Sequence, residues 1–124
     1  MAIKQQTRAV IAFIAGELIA RHGSKKIYDY SSGAIIPLEA RMDRHDVDVT
    51  DKKAEINIAG GAFGNVWTLY HYSERYQIDL TIEGHSFKGT DRKSRTHFKG
   101  HISDMTVTLI EDDTLNSPYA YRLM

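Results

Sequence analysis

Strict alternation of apolar and polar residues over most of the chain constrains the fold more than any other feature. Tyr76, Ile78, Leu80 and Ile82 fall on one face of an extended segment, with Gln77, Asp79, Thr81 and Glu83 on the other. Val47 and Val49 alternate with Asp46 and Asp48, and Ala54, Ile56 and Ile58 with Glu55 and Asn57. The same holds for Met105, Val107 and Leu109 against Thr106 and Thr108, and for Tyr119, Tyr121 and Leu123 against Ala120 and Arg122. Strands with one wet face belong to antiparallel sheets rather than to βαβ units.

Polar turn clusters start at Tyr30, Asp51, Tyr72, Asp91 and Asp112, in steps of 21, 21, 19 and 21 residues. Each step holds two strands and two turns, so residues 25–124 read as an up-and-down meander of about five hairpins, or about ten short strands. Two echoes accompany the spacing. Ile27-Tyr28-Asp29-Tyr30-Ser31 resembles Leu69-Tyr70-His71-Tyr72-Ser73, and Phe87-Lys88-Gly89 resembles Phe98-Lys99-Gly100. An open sheet of that many twisted strands curls or splits, and closure removes its exposed edges. The expected fold is mainly β: a meander curled into a barrel, with one amino-terminal α-helix packed in or against it. A two-layer β-sandwich plus helix is the alternative.

The helix spans residues 6–22. At 100° per residue, Ile11, Ile14, Ala15, Leu18 and Ile19 share a broad face, while Ala9, Gly16 and Ala20 form a small-residue face suited to close approach of another backbone. Glu17 and Arg21 are spaced to pair along the polar edge, and Gly23 suits the left-handed position beyond the end. Glu17 interrupts the apolar run too early for a membrane span. Lys4 and Arg8 before a short apolar stretch make a signal peptide the rival reading, and export stays open beside a cytoplasmic location.

Length supports one domain over 1–124, since 124 residues can bury a self-sufficient core. Sixteen basic residues balance sixteen acidic ones, so nucleic acid is not an expected partner, and the weak charge repulsion leaves homo-oligomers open. The absence of cysteine excludes disulfides, thiolate metal sites and cysteine nucleophiles.

No metal or cofactor is expected. His97 and His101 on a strand point the same way about 13 Å apart, too far to share an ion. Asp46 to Asp51 lacks the glycine and the bidentate glutamate of a calcium loop, and fits a strand running into a turn. Gly60-Gly61-Ala62-Phe63-Gly64 is followed by strand rather than helix, so it reads as a wide turn or bulge, not a phosphate loop. Lys88, Arg92, Lys93, Arg95 and Lys99 form a cationic patch that could hold an anion or an acidic partner, with Glu111-Asp112-Asp113 as an opposing patch.

Tyr70, Tyr72, Tyr119 and Tyr121, with Trp67 and His71, are the candidate ligand contacts, because such rings combine an apolar body with a polar tip. Tyr70 and Tyr72 share one face and Trp67, Leu69 and His71 the other. If the second face is internal, His71 needs a buried partner. No nucleophile sits in a triad or elbow context, which leans away from catalysis; His71 or His97 as a general base is the enzymatic alternative. The sequence thus favours a small non-catalytic binding module, holding an apolar or mixed small molecule. A protein-interaction or assembly role through its surface is the second reading.

Overall fold

The computed structural model describes residues 3–112 and 118–124. One helix, α1 (Gln5–Ala20), is followed by eleven strands: β1 (Lys26–Asp29), β2 (Ala34–Pro37), β3 (Glu39–Met42), β4 (Asp46–Asp51), β5 (Ile56–Phe63), β6 (Val66–His71), β7 (Tyr76–Glu83), β8 (Ser86–Asp91), β9 (Thr96–Ser103), β10 (Thr106–Glu111) and β11 (Tyr119–Leu123). They form a single antiparallel sheet in the order β2-β1-β11-β10-β9-β8-β7-β6-β5-β4-β3. Every neighbour from β3 to β11 is consecutive in the chain, and β11 then pairs with β1. The result is a nearly closed barrel rather than a sandwich.

Closure runs through the chain itself. β2 pairs with β1 at one edge of the sheet and β3 pairs with β4 at the other, and only Leu38 separates them. The Leu38 amide donates to the Lys25 carbonyl at 2.9 Å, pinning the crossing point. This one-residue break is the reason the described residues hold eleven strands where the alternation indicated about ten. Beyond that point the two short edges pair with no other strand among the described residues.

α1 sits inside. All eleven residues from Thr7 to Glu17 are buried, on every side of the helix. A helix that is apolar all round requires a complete surrounding wall, and the inward residues of the strands supply it. Val47, Val49, Ile58, Trp67, Leu69, Ile78, Leu80, Val107, Leu109 and Tyr121 form one core with Ile11, Phe13 and Ile14. The small-residue face admits side chains rather than a second backbone: a Cβ on Gly16 would lie 2.5 Å from Val107 Cγ2 and 3.3 Å from a Leu123 methyl. The helix starts one residue earlier and stops two earlier than its periodicity suggests. Arg21 already adopts the left-handed conformation at φ 51°, its amide donating to the Glu17 carbonyl.

The turns differ systematically between the two rims. Four-residue turns join β1 to β2, β4 to β5, β6 to β7 and β8 to β9, each with its last residue left-handed: Gly33, Glu55, Arg75 and Arg95. Two-residue turns join β5 to β6, β7 to β8 and β9 to β10 at the opposite rim. Asp104 and Met105 both take positive φ, the mirror-image turn whose twist matches a hairpin. The glycine-rich segment is mostly strand, not turn. Gly60, Gly61, Ala62 and Phe63 belong to β5, and only Gly64 lies in the turn, at φ +66°.

The Phe-Lys-Gly echo is a packing device. β8 and β9 pair Phe87 with Gly100, Lys88 with Lys99 and Gly89 with Phe98, so each inward ring lies across from a glycine. A Cβ on Gly89 would stand 2.0 Å from the Asp79 carbonyl oxygen and 2.6 Å from Phe98 Cζ. Gly89→Ala is therefore expected to cost about 3 kcal/mol in urea unfolding through overpacking. Lys88→Ala on the neighbouring outward position should stay within about 0.5 kcal/mol.

Candidate functional site

β1, β4, β6, β8 and β10 run in the same direction, so their final residues meet at one rim. Those residues are Asp29, Asp51, His71, Asp91 and Glu111, and all five are buried. Four of them fasten the four-residue turn that follows. Asp29 Oδ1 accepts from the Ser31 amide (2.9 Å) and hydroxyl (2.7 Å), and Asp51 Oδ1 from the Ala54 amide at 3.1 Å. His71 Nδ1 accepts from the Glu74 amide at 3.1 Å, and Asp91 Oδ1 from the amides of Lys93 and Ser94, each at 3.0 Å. The Ile27–Ser31 and Leu69–Ser73 echo is thus structural. Both have an inward polar residue tied to its turn and an outward edge-to-face tyrosine pair, Tyr28–Tyr30 at 4.8 Å and Tyr70–Tyr72 at 4.9 Å.

This collar surrounds the amino-terminal end of α1, whose unpaired amides and dipole favour negative charge nearby. Glu111 accepts from the Ile3 amide at 2.9 Å and from Arg8 Nη1 at 3.1 Å. Arg8 Nε donates to the Tyr121 hydroxyl at 3.0 Å, and its guanidinium lies 3.5 Å above the Tyr119 ring. Burial works against the Arg8 charge, but Tyr121, Tyr119 and Glu111 outweigh it and hold its pKa above the ordinary value. Burial pushes the Tyr121 hydroxyl up to about 12.

His71 finds the partner its buried position demands. Because Nδ1 accepts from the Glu74 amide, Nε2 carries the proton and donates to Thr7 Oγ1 at 3.3 Å. Thr7 is also hydrogen-bonded to Tyr76, whose hydroxyl donates to Asp91 Oδ2 at 3.0 Å. Burial lowers the His71 pKa, outweighing the pull of Glu74, and burial raises that of Tyr76. Lys93 and Lys4 keep the Glu74 carboxyl below its usual range. With its side chain wholly buried, His71 is out of reach of a substrate in this arrangement. His97 and His101 are exposed on β9, and His97 Nδ1 lies 2.9 Å from Thr90 Oγ1. Among the described residues, no group of three or more histidines and carboxylates is placed to hold a metal ion.

The six candidate ligand contacts divide between the two sides of the wall. Trp67, His71 and Tyr121 point inward and are buried, and Tyr119 is half-buried against Arg8 at the collar. Tyr70 and Tyr72 point outward. They do not share one pocket. The cationic patch divides as well. Lys88 pairs with Glu83 (3.2 Å), Arg92 with Asp79 (2.8 Å) and Lys93 with Glu74, while Lys99 sits opposite Lys88 and Arg95 in a turn. Of the opposing acidic patch, Glu111 is buried in the collar, Asp112 is exposed, and Asp113 lies outside the described residues.

The other end of α1 opens onto the seam between the sheet edges. A cleft of about 490 Å³ lies there, with Glu17, Leu18, Arg21 and Ser24 on the helix side and Ala40, Met42 and Arg44 on the sheet side. The side chain of Glu17 turns away from the expected pairing with Arg21. Its Oε1 accepts from the amides of Gly23 and Ser24, the latter at 3.1 Å, and its Oε2 is buried without a hydrogen-bond partner among the described residues, as is Asp29 Oδ2 in the collar. In the sequence Asp51 and Asp91 read as turn residues, Glu111 as part of an exposed acidic patch, Glu17 as a partner of Arg21 and Arg8 as a flank of the apolar run, and none of them as a buried polar group. The spacing of Asp29, Asp51, His71, Asp91 and Glu111 was the available signal for the collar, and no local rule marks Glu17. No family model, curated protein or solved structure matches this chain.

Two outcomes follow from the collar. Arg8→Met removes a buried cation that donates to Glu111 and Tyr121, and is expected to cost about 3 kcal/mol in urea unfolding. The depressed pKa of His71 means that the unfolded chain takes up the proton first as pH falls. Its contribution is therefore full above about pH 6.5 and declines below it. The melting temperature should drop from about pH 7 to about pH 5, and His71→Gln should make that drop shallower.

Proposed function

We propose that this chain is a small non-catalytic binding module that takes a ligand of mixed polarity from outside, in the seam cleft. One observation carries the reading: eleven successive helix residues fill the barrel interior, which favours the outside of the wall for binding. The seam supplies a concave surface there, with apolar Leu18, Ala40 and Met42 beside charged Glu17, Arg21 and Arg44. Its volume of about 490 Å³ is in the range of small-molecule sites. The outward Tyr70–Tyr72 pair and the divided cationic patch offer shallower surfaces.

Assembly through the surface is the second reading, supported by the tip of the β5–β6 hairpin. Phe63 there is 94% exposed and Val66 46%. Large apolar groups so placed suit contact with another protein.

A fragment screen followed by amide chemical shifts tests the first reading. Hits should cluster their shifts at Leu18, Gly23, Ser24, Ala40 and Met42. Shifts confined to Tyr70 and Tyr72, or to the hairpin tip, would count against the cleft. For the second reading, sedimentation equilibrium should show association that Phe63→Ser removes. A monomer at all concentrations would reject self-assembly.

A further inference from the structure

Among the described residues two buried carboxylate oxygens lack a hydrogen-bond partner, Asp29 Oδ2 and Glu17 Oε2, and Glu17 is the one that lines a cleft. The residue is 6% exposed, and one carboxylate oxygen is satisfied by two loop amides while the other has no donor. A buried acceptor left unpaired is costly, and native structures generally supply it with a partner. Glu17 lines the seam cleft, so a ligand there is in a position to provide one.

The cleft also carries exposed positive charge. Arg21, Lys25 and Arg44 also line it, and among the described residues none of the three forms an ion pair. The other acid at the cleft, Asp43, already accepts from the amides of His45 (2.8 Å) and Asp46 (2.9 Å). A purely cationic ligand would meet Glu17 but face three positive side chains. A purely anionic one would meet the cations and leave Oε2 without a donor. A ligand carrying both charges matches the buried acceptor and the exposed cations together, and Leu18 and Met42 offer its body an apolar surface.

We propose that the seam cleft binds an aliphatic α-amino acid, with its ammonium group donating to Glu17 Oε2 and its carboxylate facing Arg21 and Arg44. The proposal rests on the reading of the cleft as the binding site and adds the chemical class of the ligand.

The test titrates the full chain with leucine, with leucinamide, which lacks the carboxylate, and with 4-methylpentanoate, which lacks the ammonium group. Amide shifts of Gly23 and Ser24 and calorimetry report binding. Leucine should bind roughly tenfold or more tightly than either analogue. Glu17→Gln should weaken leucine and leucinamide by roughly tenfold and leave 4-methylpentanoate unchanged. Arg44→Ala should weaken leucine and 4-methylpentanoate but not leucinamide. Equal binding of 4-methylpentanoate and leucine would overturn the proposal in favour of an anion site. If none of the three moves these amides but other fragments do, the zwitterion falls and the cleft stands. If no compound moves them, both fall. Should Glu17→Gln fail to fold by near-ultraviolet circular dichroism, the comparison of the three compounds on the unaltered protein decides alone.

Discussion

Burial of one helix on all its sides is the constraint on which the rest of the molecule depends. A helix with a single apolar stripe can be covered by a sheet on one face. One that is apolar around its circumference needs a wall that returns to its starting point. Here Val10, Ile11, Phe13 and Ile14 take the place that a small barrel otherwise fills with side chains from its own strands. Alanines and Gly16 let the wall approach, and the paired glycines of β8 and β9 make room for two inward phenylalanines. Removing apolar surface from water on this scale is the main favourable term in the fold.

A fully enclosed helix leaves its two ends as the places where polar groups must be reconciled with burial. The amino-terminal end meets five polar side chains, most of them also tying down a turn, so each serves the rim and the core at once. Arg8, buried beside them, brings a positive charge to this end. The carboxy-terminal end has a lighter solution, in which Glu17 holds the loop back through Gly23 and Ser24 and keeps one oxygen unused. Asp29 Oδ2 in the collar is likewise without a partner among the described residues, but only the unused oxygen of Glu17 belongs to a residue that lines the seam cleft, and the functional reading falls there.

Much of the wall was legible because its signal is local and repeated. Alternation from Tyr76 to Ile82 placed Ile78 and Leu80 inside, and both echoes turned out to occupy equivalent positions. The number of strands was close, and the difference arises at Leu38, where one residue carries the chain between sheet edges. The collar was hard to read because a polar residue ending an alternating strand resembles one beginning a turn. Asp51 and Asp91 looked like turn residues, although their parity with Val49 and Gly89 already pointed inward. Tyr70 and Tyr121 looked alike as rings, yet their opposite parity put them on opposite sides of the wall. Glu17 was readable only as a neighbour of Arg21, since its actual partners are loop amides whose position depends on where the helix stops.

The order of elements along the chain has a consequence for how the molecule is made. The helix precedes every strand, yet its amino-terminal end is secured by Glu111, whose bond to the Ile3 amide spans 108 residues. During synthesis the helix is made before the strands that cover it and stays uncovered until the last of them arrive. Contacts so distant in sequence make for slow folding. The hazard for such a chain lies in the waiting time before the wall closes rather than in the finished protein.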